Sequence, residues 1–135
     1  MLFRSARPAD GFVASFTGAN LLHGVAHVEN GLTAIRLQSG DVIYSTDAGS
    51  GPVEVVVYPW EVVISHVREQ DSALNVIEGE IRSLVHVGNR VRIRIGDLTA
   101  ELTEASVERL GLDIGTRVVA SFKASGTRLV SPIRS

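Results

Sequence analysis

The residues of this chain that could do chemistry are few, and their spacing narrows what they can do. There are four histidines, His23, His27, His66 and His86. His23 and His27 stand at i and i+4, a spacing that on a helix would aim both at one metal ion. Both fall in a segment that reads as a strand. There they share a face but lie far apart, so they read as exposed strand histidines and no metal site is expected. Glu78 and Glu80, or Glu101 and Glu104, come with no partner base or nucleophile for general acid–base work. Cysteine is absent, which removes disulfides, thiolate metal sites and thiol nucleophiles. Neither a Gly-x-x-x-x-Gly-Lys-Ser/Thr phosphate loop nor a Gly-x-Ser-x-Gly nucleophile elbow occurs. No catalytic residue, metal or organic cofactor is assigned, and the chain reads as a binding module rather than an enzyme.

Charge and composition exclude further classes. With 13 Lys+Arg against 15 Asp+Glu, the chain lacks the basic excess by which proteins bind phosphate backbones. Aromatics make up only 5 %, poor material for stacking single-stranded bases. Nucleic acid is therefore not an expected partner, although one local anion pocket is compatible with this balance. No apolar run approaches the ~20 residues that span a bilayer, and nothing in residues 1–10 resembles a secretory signal. A cytoplasmic protein without direct membrane insertion is expected.

The elements that would position a binding site are mostly short strands. Valine and isoleucine runs between glycines predict strands at 21–28, 33–37, 53–57, 62–65, 75–85, 90–95, 98–102, 118–122 and 128–130. The run Arg90-Val91-Arg92-Ile93-Arg94-Ile95 alternates strictly, so one face is apolar and the other basic. Its arginines read as a solvated face, with a binding surface as the alternative. Two short helices are predicted. Asp10 can cap residues 11–17, with Gly18 as the stop. Thr103 can cap residues 104–110, with Leu102 and Val107 spaced as a hydrophobic staple, Glu104 at the positive end of the dipole and Gly111 as the left-handed stop. Many short strands with a capped helix predict a small barrel of OB type.

The sequence also repeats. Asn20-Leu21-Leu22-His23-Gly24-Val25 resembles Asn75-Val76-Ile77-Glu78-Gly79-Glu80. Gly40-Asp41 answers Gly96-Asp97, and the run from Gly51 to Tyr58 answers the run from Gly115 to Phe122. The period, about 55 to 64 residues, implies duplication of one barrel unit. The expected organisation is an N-terminal segment with a short helix at 1–18, a first OB-like half at 19–68, a hinge near 68–71, and a second half at 72–135. A half of that length is marginal alone, so the halves should pack together, exchange strands or dimerise.

Several separated motifs of the second half carry a family resemblance. Ser72-Ala73-Leu74-Asn75, then Gly79, then Leu110-Gly111-Leu112 with Gly115, then Ser121-Phe122-Lys123-Ala124-Ser125, resemble the Mop/TOBE (molbindin-like) domain. That family reads Ser-Ala-Arg-Asn, a strand with Gly, a helix ending in Leu-Gly-Leu, and Ile-Lys-Ala-Ser/Thr. The run from Arg7 to Asn20 resembles the join between the ATPase domain and the C-terminal regulatory region of ABC importer ATPases of the molybdate/tungstate type. Tyr58-Pro59-Trp60-Glu61 is similar to a motif of the same regulatory regions. The resemblance implies an all-β chain of two OB-like (TOBE/Mop) β-barrel halves with short helices. It implies molybdate or tungstate as ligand, a homodimer or higher homo-oligomer, and an ABC transporter ATPase or permease as partner, which would bring the chain to the inner face of the membrane.

A tetrahedral dianion needs converging donors and few acceptors, which backbone N–H groups and hydroxyls supply without full countercharge. On the family's pattern the site residues are Ser72, Ala73, Leu74 and Asn75 on one wall, with Lys123, Ala124 and Ser125 on the other. Lys123 would add a point charge and Ser125 a hydroxyl. Trp60, the only tryptophan, is expected at an interface between halves or subunits. The chain departs from the family in two places. Leu74 stands where the motif has arginine, and Tyr58 where the other motif has arginine. Both departures favour the alternative reading, a dimerisation and regulatory domain that binds no anion. An OB-type nucleic-acid module is the third reading.

Overall fold

The computed structural model describes residues 18–68, 71 and 74–130. The chain forms ten strands among these residues: β1 (Asn20–Glu29), β2 (Leu32–Leu37), β3 (Val42–Ser45), β4 (Gly51–Val57), β5 (Val63–Ser65), β6 (Leu74–Val87), β7 (Arg90–Ile95), β8 (Leu98–Thr103), β9 (Arg117–Lys123) and β10 (Arg128–Val130). One helix, α1 (Glu104–Leu110), separates β8 from β9. The fold is all-β in two OB-like units, as the valine-rich alternation implies. The predicted helix at 11–17 lies outside the described residues. Strand β3 was not foreseen: Val42-Ile43-Tyr44-Ser45 is too short for its alternation to stand out.

All the pairing is antiparallel, and the two sheets are built alike. One has the order β10-β4-β1-β2-β3 and the other β5-β9-β6-β7-β8. In terms of the repeat, β6 to β9 copy β1 to β4, and β10 copies β5. Each sheet therefore takes its fifth strand from the other repeat. Of the options that a marginal half leaves open, the chain uses strand exchange.

The compact units follow this exchange and not the repeat boundaries at 68 and 72. Among the described residues, the first unit comprises 18–57 with 124–130, and the second comprises Tyr58–Lys123. A boundary drawn from the repeat misses this, because sequence similarity is blind to which sheet the fifth strand joins.

In the first unit the two ends of the sheet are tied together. Ser45 at the end of β3 donates its hydroxyl to the Thr127 carbonyl at 2.5 Å, just before β10. The Thr46 N–H reaches the Ala124 carbonyl at 3.4 Å. These bonds close the five strands on themselves, which satisfies edge groups that would otherwise be bare. The core inside holds Ala34, Ile35, Ile43, Val55 and Val57, all fully buried.

In the second unit the strict alternation of β7 does what it predicts. Val91, Ile93 and Ile95 are buried, and the intervening arginines face outward. Ile81, Leu98, Val118 and Phe122 are buried in the same unit. A bulge in β6 between Ile81 and Ser83 interrupts its pairing with β7. Ile81 itself stays paired with Ile95, and its backbone bonds Thr116 and Gly115 on its other side, at 2.9 and 2.8 Å.

Gly24 and Gly79 hold equivalent places in the repeat, and both sit under a neighbouring strand. A Cβ on Gly24 would lie 2.5 Å from Ile35 Cγ2 and 2.7 Å from the Arg36 carbonyl oxygen, and one on Gly79 3.0 Å from Ile95 Cγ2. The α1 boundaries are those the sequence predicts. Thr103 Oγ1 accepts the Ser106 N–H at 3.1 Å. Gly111, at φ 63°, closes a Schellman turn through Gly111 N–H to Glu108 O and Leu112 N–H to Val107 O.

Candidate functional site

The expected site residues fall at the start of β6, the end of β9 and the turn that follows. Ser72 and Ala73 lie outside the described residues. Leu74 pairs directly with Lys123, and Asn75 with Phe122. Residues opposite each other in an antiparallel ladder project to the same face, and successive residues to opposite faces. Leu74 and Lys123 therefore share one face, while Asn75 and Phe122 share the other. That second face is the core: Asn75 is 3 % exposed and Phe122 2 %. Lys123 is exposed and Leu74 half-buried. The structure brings Leu74 beside Lys123, and it turns the Asn75 side chain away from the Lys123 face.

The backbone donors on these segments are partly engaged. The Leu74 N–H donates to the Asp71 carbonyl at 3.1 Å. Ala124–Gly126 form a single 3-10 turn that belongs to the first unit. Ala124 is buried, and its carbonyl accepts the Thr127 N–H at 3.1 Å as well as Thr46. Ser125 is exposed.

Other charged groups are largely matched locally. Arg92 holds Glu101 through Nε at 3.1 Å and Nη2 at 3.0 Å. Arg94 donates to the Gly96 carbonyl at 3.0 Å and faces Asp97 at 3.7 Å. Two of the three arginines of the basic stripe of β7 are thus ion-paired. Three of the histidines stand beside glutamates: His23 near Glu54 at 3.7 Å, His27 near Glu29 at 3.2 Å, and His86 near Glu104 at 3.5 Å. His66 Nε2 meets the Leu110 carbonyl at the end of α1 at 2.7 Å. No group of three or more His, Asp or Glu suited to a metal ion occurs among the described residues.

Two features escaped the reading of the sequence. One is Asp47, whose carboxylate takes the Arg128 Nε–H at 2.9 Å and the Leu129 N–H at 3.1 Å. Partial burial would raise its pKa. The bonds from Arg128 and Leu129, with the Arg128 charge, outweigh that and hold the carboxyl below its ordinary value. The other is the first-repeat counterpart of the candidate site. Asn20 pairs with Val57 as Asn75 pairs with Phe122, and both asparagines are buried. Pro59–Glu61 form a 3-10 turn after β4, as Ala124–Gly126 do after β9. The Val62 N–H bonds the Pro59 carbonyl at 3.2 Å, as Thr127 bonds Ala124. The sequence match of Gly51–Tyr58 to Gly115–Phe122 stands one residue away from this correspondence, in which Val57 answers Phe122, so extending it would not have found the turn. Trp60 lies in this turn. It is 51 % exposed and stacks on Tyr58 with centroids 4.9 Å apart and planes 17° apart.

The second repeat matches a known family: residues 71–129 fit the TOBE domain. These residues form a TOBE domain. Its five strands run from β6 to β10, so the domain as a sequence unit includes the strand that it lends to the first sheet. The molybdate/tungstate import ATP-binding protein WtpC of Pyrococcus abyssi (strain GE5 / Orsay) is 32% identical over 129 residues, covering 92% of this chain. The chain spans only 36% of that relative's length. Among solved structures, the cytoplasmic molybdate-binding protein ModG, in a form with molybdate bound, matches with a TM-score of 0.70 at 21% identity. The match covers 84% of this chain and 96% of ModG. The fold of this chain is thus similar to that of ModG.

Proposed function

We propose that this chain is a molybdate- or tungstate-binding regulatory domain, either of an ABC importer ATPase or of a free-standing relative. The observation that carries the reading is the match to WtpC, which runs through 92% of the chain, first repeat included. The shared fold with molybdate-binding ModG supports the same ligand class. On this reading Lys123, exposed at the end of β9, and Ser125 in the next turn present the charge and hydroxyl to the oxyanion. Leu74 lies beside Lys123. Ser72 and Ala73 contribute backbone donors, and Asn75 supports the wall from its core side. Ala124 sets the turn. The role is binding, with no catalysis assigned to this chain; an ATPase domain would belong to a longer parent.

A homodimer or higher homo-oligomer is part of the proposal. Val25, Val28, Val63, Val85 and Val87 are each more than half exposed, and such apolar surface favours association. No helix among the described residues is long and apolar enough to cross a membrane. We place the protein in the cytoplasm, reaching the membrane through the transporter. Calorimetric titration of the chain with molybdate and tungstate, with sulfate and phosphate as controls, tests the reading. Heat with the first pair alone supports it, and Lys123→Ala should weaken that binding without unfolding the chain.

A second reading is favoured by Leu74 and Tyr58, which stand where the family's motifs have arginine: a dimerisation and regulatory domain without a ligand. It expects no heat with any of the four anions and a dimer in light scattering.

A further inference from the structure

The two repeats place the same turn after the same strand, but the chemistry of the two turns is opposite. Pairing register sets the correspondence. Because Val57 matches Phe122, Tyr58 matches Lys123, Pro59 matches Ala124, Trp60 matches Ser125 and Glu61 matches Gly126. The matching 3-10 turns and their closing bonds confirm that no residue is inserted between the two.

The second-repeat turn offers an ammonium and a hydroxyl, with a glycine beside them. The first-repeat turn offers neither. Pro59 has no N–H to give. Tyr58 and Trp60 are stacked, and aromatic faces carry negative potential, which repels an anion. Glu61 is exposed and adds a full negative charge where Gly126 adds none. Between the two turns the charge changes from one positive to one negative.

We infer that the chain holds one oxyanion and not two: the Lys123–Ser125 turn binds, and its counterpart at Tyr58–Glu61 excludes an anion. This rests on the oxyanion function proposed above and adds its stoichiometry and its asymmetry. A duplicated binding unit has become a one-sited one, leaving the first-repeat turn as an exposed aromatic surface.

Calorimetry of the full chain with molybdate reads the number of ions per chain. The wild type should bind close to one. Lys123→Ala should weaken binding at least tenfold, and the double variant Tyr58→Ala/Trp60→Ala should leave both number and affinity unchanged. If circular dichroism shows that the double variant does not fold, Glu61→Gln keeps the stack and takes its place, with the same outcome expected. Two ions per chain in the wild type would overturn the inference while leaving the oxyanion function standing. So would binding that survives Lys123→Ala and is lost in the first-repeat variant. A wild type that binds neither molybdate nor tungstate would overturn the function and this inference together.

Discussion

Asp47 and Arg128 are 81 residues apart in the chain, yet the carboxylate of one accepts the guanidinium N–H of the other at 2.9 Å. The same oxygen takes the Leu129 N–H at 3.1 Å, so one side chain fixes both the start and the register of β10. Strand β10 has only three residues in its ladder with β4, too few to hold it by backbone pairing alone. Asp47→Ala would leave the half-buried Leu129 N–H without its acceptor and remove the carboxylate that Arg128 Nε–H bonds. The expected loss is about 1–3 kcal/mol of stability, read as a lower urea midpoint. Asp47→Asn should recover part of it through its amide oxygen. An unchanged midpoint in both variants would mean that the ladder and the Ser45–Thr127 bond suffice to hold β10.

The same carboxylate predicts an acid limb. Its pKa in the folded chain lies below the ordinary 3.8, partial burial being outweighed by the bonds from Arg128 and Leu129 and by the Arg128 charge. A group depressed by folding contributes stability that is complete above its unfolded pKa and is lost as pH falls through the folded value. Stability should therefore fall from about pH 4 downward on account of Asp47. Asp47→Asn should flatten that part of the profile in urea titrations at stepped pH. Glu29 is also depressed, by its bonds from Tyr44 and His27, and shares the sign, but it is fully exposed. A slope that survives Asp47→Asn would assign the acid limb to other carboxylates.

Much of this architecture is written locally. The alternation of β7 gave both its span and its faces, and Thr103 with Gly111 bracketed α1, because capping and period two act over a few residues. Asn75 shares the face of Ile77 and Ile81, so its burial was also readable from period two, against its assignment as a side chain lining a site. The exchange of β5 and β10 was not readable. Both candidate partner strands, β4 and β9, have the same pattern, and the choice is made by Ser45 and Asp47, polar residues whose partners lie about eighty residues away. The site was legible as a family motif, whereas its geometry depends on that same long-range choice, since the turn after Lys123 joins the first unit.

Gly24 and Gly79 separate in their tolerance of a side chain. The Gly24 Cβ position collides with the Arg36 backbone oxygen as well as Ile35, whereas that of Gly79 only touches the Ile95 methyl. Gly24→Ala should cost about 1–3 kcal/mol, since a strand must move, and Gly79→Ala clearly less, since a side chain can shift. Thermal unfolding of the two variants side by side tests this. Equal losses would show that β2 yields as readily as a rotamer does.

The cap of α1 should be worth about what exposed helix caps usually are. Every residue of the helix is at least partly exposed, so it leans on its ends. Thr103→Ala removes the acceptor of the Ser106 N–H and should cost about 1 kcal/mol, while Thr103→Ser should cost little. Gly111→Ala, forced to a φ of 63°, should cost about 1–2 kcal/mol. Urea midpoints decide both.

Leu74→Arg tests the site through the one departure that lies on its face. The side chain at 74 stands opposite Lys123, so an arginine there would place a second donor group beside the ammonium. Charge-assisted, bidentate contact to an oxyanion should tighten molybdate binding about tenfold, roughly 1.4 kcal/mol. The two like charges directly opposite on the ladder should lower the stability of the unliganded chain by about 0.2–1 kcal/mol. Saturating molybdate should recover that loss, because the anion screens the pair and binds only the folded chain. The affinity gain should shrink as salt rises, which separates it from a packing effect, and Leu74→Met should change neither quantity. If Leu74→Arg loses stability without gaining affinity, the anion does not sit on the Leu74–Lys123 face. The Ser125 side of the turn would then be the place to look.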